Sequence, residues 1–283
     1  RKEEITIFNK TNKLPRLNSK SREFMQNVYL VLVFIFLYAP IAALIIFSFN
    51  DSKSMGHLNG FTLKWYAALF KNGSILSALY YTVTIAILAS VISTIFGTIS
   101  SIGIYKMRGK MKKAILNINY LPVLNTEIVT GVAIMSLFTF LNMNFGYKTM
   151  LISHIMFCTP YVIMSVLPKL RQLPENTQNA AMDLGATPWY AIRKIIIPQI
   201  RPGVISGFLM AFTMSIDDFI ISFFNTGNGV SNLSIEIYGM ARRGIKPEIN
   251  ALSTLMFGTV MILLILSNKK DSVIKNNIIN RGK

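Results

Sequence analysis

The sequence predicts an all-α, polytopic membrane protein with six transmembrane helices, and three observations carry that reading. Of 283 residues, 52% are hydrophobic and only 14% are charged, where a soluble domain carries about 25% charged residues. Apolar runs of the length needed to cross a hydrocarbon core, roughly 17–25 residues, recur along the whole chain. Lys and Arg alternate in density from one intervening loop to the next.

The first run is Val28–Phe49, preceded by a basic tail over 1–25. It is too long, and too far from the N-terminus, for a secretory signal peptide, and no A-x-A-like cleavage site follows it. Arg1 rather than Met opens the chain, so the native start is expected upstream. Five further runs follow: Leu76–Ile102, Leu121–Leu141, Thr149–Leu167, Gly203–Phe224 and Ala251–Ser267. Together they define a transmembrane domain over 26–267, with a second basic tail over 268–283. Pro160, inside the fourth run, is expected to kink it and to free backbone groups toward a cavity or neighbour.

Counted over alternate loops and tails, Lys plus Arg number 22 on one side and 7 on the other. The positive-inside rule therefore places both termini in the cytoplasm of a cell (plasma or inner) membrane protein. The net charge of +17 is mostly this topology signal, so the lipid bilayer is the expected partner and nucleic acid is not. Cys158 is the single cysteine, which excludes an internal disulfide and a Cys-based zinc site; it reads as a small apolar helix residue. His57 and His154 fall at different depths, so no paired-His metal site is expected, and His154 should hydrogen-bond within the bundle. The GIYKMRGKM stretch, Gly103–Met111, has five residues between its glycines and no Ser or Thr after the Lys, unlike a phosphate-binding loop. No Ser-His-Asp set assembles at one depth. The chain therefore reads as a non-enzyme, with no catalytic residue, metal or cofactor of its own.

Three acids fall inside the apolar runs, Glu127, Asp217 and Asp218, whereas no Lys or Arg does. A charge at the bilayer centre costs roughly 2.5–3.5 kcal/mol on insertion scales, so such residues face a protein interior or a wet cavity. One reading places them near headgroups or makes them helix caps; the other makes them a path for cations. Gly203, Gly207, Ala211, Ser215, Asp218 and Ser222 recur at intervals of three or four, a small, partly polar stripe suited to close helix packing or a passage. That spacing turns Asp218 toward the seam or pore and leaves Asp217 flanking it beside Thr213.

The segment Pro168–Pro202 is too long for a plain helix connection. Asn176 or Thr177 is placed to cap a short helix carrying Ala180, Ala181 and Leu184. Gly185 then ends it or permits a close backbone approach, and Pro188 starts a second short segment.

Within it, NAAMDLGATPWYAIRKIIIPQIRPGVISG resembles the EAA loop of ABC-importer permeases: E-A-A, three residues, G, and then I-x-x-P. The resemblance implies coupling helices that fit a groove on an ATPase subunit, with Asn179, Ala180, Ala181, Asp183, Gly185, Ala186 and Pro198 as contact elements. Asn179 stands where the pattern has Glu, so an ionic contact there becomes at most a neutral hydrogen bond. From about Tyr29 to Ser267 the chain is similar to permeases of the spermidine/putrescine type, C-type subunit class. LPVLNTEIVTGVAIMSLF, AFTMSIDDFIISFFNTG and IEIYGMARRGIKPEINALST carry that similarity. It implies the six-helix type I ABC-importer fold, a heterodimer with a second permease, two ATPase copies holding ATP and Mg, and an extracytoplasmic polyamine-binding protein.

Polyamines are polycations, which suits carboxylates with aromatic faces nearby. The candidate path residues are Asp217, Asp218, Glu127, Glu236, Tyr238 and Trp65, with Phe219 and Tyr66 as further aromatic candidates. Glu236 and Glu248 either receive the polyamine or balance Arg242, Arg243 and Lys246. The alternatives are an ABC permease for another cationic or organic solute, and a stand-alone channel or secondary transporter; a channel has no need of a coupling loop.

Overall fold

The computed structural model describes residues 19–52, 57–174, 177–242, 247–259 and 261. Among them the regular structure is helical, apart from one isolated bridge between Asn50 and Phe61. They fall into two compact units, one from Arg1–Ala68 with Lys246–Lys283 and one from Leu69–Ile245. Helix α2 (Lys64–Lys71) begins in the first and ends in the second.

The first unit holds α1 (Ser19–Ser48) and a helical run over 247–259. The most apolar window of α1 buries nothing within this chain, as befits a helix whose neighbours are lipid or another subunit. After α1 the backbone is pinned by polar side chains. Asn50 Nδ2 donates to His57 O at 2.7 Å, its Oδ1 accepts from Asn59 N, and Trp65 Nε1 donates to Asn50 O at 2.7 Å.

The second unit is built on three long helices: α3 (Gly73–Lys106), α6 (Tyr147–Arg171) and α8 (Pro188–Ile216). Asn72 Oδ1 caps α3 by accepting from Ser74 N at 3.1 Å, satisfying an orphan donor of its first turn. Phe157, Cys158, Val162, Val166 and Leu170 of α6 form the middle of the core, against Ile200 and Ala211 of α8. Cys158 is fully buried, as its apolar surroundings in the sequence suggest. Small residues set the spacing. A Cβ on Gly97 of α3 would stand 2.6 Å from Val162 Cγ1, and one on Gly207 of α8 would stand 3.1 Å from the same atom.

Around these lie α4 (Gly109–Leu124), α5 (Glu127–Phe140), α7 (Thr177–Asp183), α9 (Ile220–Asn225) and α10 (Leu233–Arg242). Among the described residues four helices are long and apolar enough to cross a bilayer: Glu23–Ser48 of α1, α3, α6 and α8. The pair α4 and α5, bent by 110°, makes a fifth if it counts as one span. The expected span Leu121–Leu141 is therefore broken. Asn125 and Thr126 take extended backbone, and Thr126 stands as the N-cap of α5, with Glu127 as its first residue.

The expected span Gly203–Phe224 also needs correction. Its helix begins earlier, at Pro188, and stops at Ile216; three non-helical residues precede α9. The second short coupling segment is thus the start of α8 rather than a separate helix. Pro188 occupies its first turn, as expected, and Thr187 Oγ1 caps it by accepting from Tyr190 N at 3.3 Å. A wide π turn, Ile192–Ile196, lies just before Pro198, whose missing N–H leaves the carbonyl four residues back without its helical partner. The sixth run is helical over 251–259 and otherwise falls mostly outside the described residues, as do the basic tails beyond 19 and 261.

Replacing Gly97 by Ala should force α3 away from Val162 and destabilise the protein by about 1–3 kcal/mol, the usual cost of overpacking. Thermal unfolding in detergent checks this. Val162→Ala, added to Gly97→Ala, should recover part of the loss, because contacting residues couple.

Candidate substrate path and coupling surface

The break after α8 is organised by one carboxylate. Asp218 is 6% exposed and sits over the first turn of α9. Its Oδ1 accepts from Ile221 N at 3.1 Å, and its Oδ2 accepts from Ser222 N at 2.7 Å and Ser222 Oγ at 2.8 Å. Those backbone donors have no helical partner of their own, so the carboxylate fills a need that membrane interiors leave to protein groups.

A buried polar network extends from it. His154 of α6 lies between two serines, Nδ1 at 2.7 Å from Ser215 Oγ and Nε2 at 2.9 Å from Ser222 Oγ, with Asp218 Oδ2 at 3.5 Å from Nε2. Since Ser222 gives its hydroxyl hydrogen to Asp218, His154 must donate through Nε2, and Nδ1 is left to accept from Ser215. Asn232 Nδ2 donates to Asp218 O and to Ser222 Oγ, at 2.7 and 2.8 Å. One residue on, Leu233 N donates to Thr82 Oγ1 of α3 at 2.8 Å. Asn225 Nδ2 donates to Gly131 O of α5 at 3.2 Å, and Asn225 O accepts from Thr149 Oγ1 at 2.9 Å. Helices α3, α5, α6, α8 and α9 thus meet through hydrogen bonds at one level.

Of the two positions left open for Asp218, the seam is the one it occupies. Asp217 is exposed, as the C-cap of α8, with its backbone carbonyl accepting from Ser234 Oγ at 3.3 Å. Glu127 is exposed on the first turn of α5 and lies within electrostatic reach of both Asp217 and Asp218. Packing of α5 on α9 accounts for that proximity: a Cβ on Gly131 would stand 3.2 Å from the Phe224 ring. Tyr238 and Phe223 are half-exposed, and with Phe219 they form a trio with ring centroids 4.8–6.4 Å apart. Glu236, half-buried, lies two residues before Tyr238 on α10. Trp65 belongs to the other unit, where it is buried, holds Asn50 O and carries Lys64 Nζ 4.6 Å above its ring. Among the described residues no group of three or more His, Cys, Asp and Glu is placed to hold a metal ion.

On the Pro168–Pro202 segment, Asn179, Ala180 and Asp183 are exposed along α7, whereas Ala181 is buried. Asn176 lies outside the described residues, and Thr177 is the first helical residue rather than the cap before it, with its hydroxyl donating to Pro174 O at 2.8 Å. Gly185 ends α7 at φ +86°, with Gly185 N donating to Met182 O and Ala186 N to Ala181 O. A Cβ there meets nothing within 4 Å, so the left-handed backbone, not a close approach within the chain, calls for glycine. Ala186 is half-buried and Pro198 exposed. Leu184, Trp189 and Tyr190 stand 90%, 68% and 55% exposed around this turn.

Comparison with known proteins follows the same lines. Residues 93–268 match the family model described as binding-protein-dependent transport system inner membrane component. The chain belongs to that family. Within this permease family it is 34% identical over 247 residues to the spermidine/putrescine transport system permease protein PotC of Haemophilus influenzae, covering 87% of this chain and 96% of that protein. It is 36% identical over 259 residues to the putrescine transport system permease protein PotI of Escherichia coli, covering 89% and 91%. A bacterial ABC transporter that imports the acidic polysaccharide alginate shares the permease fold, with a TM-score of 0.69 at 15% identity over 89% of this chain and 98% of that one. An amino acid ABC transporter has a TM-score of 0.53 at 19% identity, covering 74% and 100%.

The network residues Asn225, Asn232 and Thr82 carry no flag in the sequence. Two asparagines near a predicted span end look like ordinary turn residues there, and a threonine in an apolar run looks like filler. Asp218→Ala should leave the Ile221 and Ser222 N–H groups unpaired, at about 1–3 kcal/mol each. Asp218→Asn keeps one acceptor but turns an N–H₂ toward a donor, so its stability should fall between wild type and Ala. Unfolding midpoints of the three proteins, measured in the same detergent, check this order.

Proposed function

We propose that this permease is the membrane-spanning subunit of an ATP-driven importer for polyamines of the spermidine/putrescine class. Most of its length aligns with relatives named for those cargoes. The observation that carries the cargo is the pair of exposed acids, Asp217 and Glu127, emerging at two helix breaks within electrostatic reach of each other. A polycation with separated amines engages two carboxylates, and its methylene segments suit the Phe219–Phe223–Tyr238 surface. Asp218 serves the path by holding the break that presents Asp217. Glu236 and Trp65 are assigned to the extracytoplasmic approach, on the topology in which both termini are cytoplasmic.

The reading includes the partners. A second permease completes the path against the unburied face of α1. Two ATPase copies, with their ATP and Mg, dock on the Asn179–Ala186 turn and the first turns of α8 up to Pro198. An extracytoplasmic binding protein delivers the cargo. The exposed Leu184, Trp189 and Tyr190 support the docking assignment, because apolar side chains of this size in one surface turn favour a partner. A stand-alone channel has no use for such a surface.

Uptake of labelled spermidine per assembled complex tests the cargo path. Asp217→Asn and Glu127→Gln should each lower it roughly tenfold or more, about 1.4 kcal/mol of lost interaction, with assembly unchanged. Normal uptake in the double variant would remove the cation-path assignment. Docking has its own test. Gly185→Ala imposes about 1–2 kcal/mol of left-handed strain on the turn, so ATPase copurification should weaken while the permease still folds. Unchanged copurification would refute the docking assignment.

A further inference from the structure

Helix α6 follows α8 through a ladder whose rungs fall four residues apart on both helices. A Cβ on Gly207 would stand 3.1 Å from Val162 Cγ1, Cys158 Sγ donates to Ala211 O at 3.5 Å, and His154 Nδ1 takes the Ser215 hydroxyl at 2.7 Å. The α8 member of each rung is Gly, Ala or Ser, which lets two membrane helices run this close. A further rung would need helix at residue 219, but α8 ends at Ile216. The ladder resumes on α9, where Thr149 Oγ1 donates to Asn225 O at 2.9 Å. His154 is the point of hand-over, with Nδ1 on the last turn of α8 and Nε2 at 2.9 Å from Ser222 Oγ of α9.

These two bonds belong to the broken form only. Unbroken helix would put Ser215 and Ser222 about 10 Å apart along the axis, a span that one imidazole ring does not bridge. Ser222 Oγ gives its hydrogen to Asp218 Oδ2 and accepts from both His154 Nε2 and Asn232 Nδ2, which uses every valence of the hydroxyl. His154 is 1% exposed, so water does not stand in for either serine. Among the described side chains of this network, it is the one bonded to both α8 and α9. Asp217 lies between the two serines in sequence, so its direction follows from where they are held.

We infer that His154 is the positioning residue of this break. It sets the spacing and angle between the last turn of α8 and the first of α9, and so the direction in which Asp217 is presented. The clamp stands on geometry; its effect on uptake rests on the cation path proposed above. An imidazole suits the role because its two nitrogens diverge from one rigid ring, donating at one and accepting at the other. Glutamine offers one donor and one acceptor on a flexible stem, and phenylalanine keeps a ring with neither.

Alkylation of the assembled transporter by a small soluble thiol reagent reads the clamp directly. Asp217→Cys is the reporter, Thr213→Cys, one turn earlier on α8 and also exposed, is the reference, and the parent with its buried Cys158 gives the blank. His154→Phe should change the rate at 217 several-fold and leave the rate at 213 unchanged, and His154→Gln should restore most of the difference. If His154→Phe does not assemble, Ser215→Ala, which cuts only the α8 bond, should likewise shift the rate at 217 and not at 213. Equal changes at both positions would make His154 a packing residue, and no change at 217 would leave the break independent of it; either result overturns the inference. Uptake of labelled spermidine per assembled complex then separates the clamp from the cargo reading. A loss in His154→Phe that adds nothing to Asp217→Asn supports action through Asp217, because residues working as a unit are not additive. Losses that multiply, or normal uptake in His154→Phe beside a loss in Asp217→Asn, would overturn that link. A shifted rate at 217 with normal uptake in both variants leaves the clamp in place and sinks the cargo reading.

Discussion

The Asp218 carboxylate, with three donors on its two oxygens, is the interaction on which the rest of the second unit depends. A helix that stops inside a membrane leaves backbone N–H groups that water cannot reach, and each must find a protein acceptor. Asp218 answers for two of them. By also taking the Ser222 hydroxyl, it fixes which way that serine points, and hence which nitrogen His154 donates. The chain of consequence then runs to Ser215 on α8 and, through Asn232 and Leu233, to Thr82 on α3. A charge that hydropathy scores as a penalty is here what allows the break.

The break in turn gives two adjacent aspartates different work. On a continuous helix, residues 217 and 218 would differ by about 100° in direction and share one backbone environment. At the end of α8 they part completely. Asp218 turns inward to the first turn of α9, and Asp217, at the C-cap, keeps its carboxylate exposed. The second break, at Asn125–Thr126, repeats the device with one acid, placing Glu127 on the first turn of α5, where negative charge is favoured by the helix dipole. Packing of α5 on α9 brings the two breaks together.

Much of this was legible in the sequence, and the misses share a cause. The stripe Gly203, Gly207, Ala211, Ser215, Asp218 and Ser222 is buried at every position, yet the continuous helix inferred from it is not there. Asp218 bonds to residues three and four ahead, and that spacing is the one a helical stripe also has. Periodicity therefore ran across the break without registering it. Hydropathy was equally blind, because the residues on both sides are apolar. At Pro188 the error reversed: proline reads as a boundary, but at a first helical turn it costs nothing, and α8 runs on from there. Gly185 was readable as a helix end from its position alone. Asn225, Asn232 and Thr82 were not, since their partners lie 10 to 151 residues away.

The alginate importer, carrier of an acidic polymer, shares this fold at 15% identity, so the scaffold itself does not fix the sign of the cargo. On the proposed function that choice falls to side chains the scaffold presents at its breaks, where irregular backbone lines protein or cavity rather than lipid. In this chain those side chains are carboxylates, within a protein of net charge +17. The basic residues within α3, α6 and α8, from Lys106 to Arg201, all lie outside the apolar runs of the sequence, so the negative charge at the two breaks is local. Local sign against global sign is the condition under which a cation is drawn to the passage without being bound by the protein surface at large.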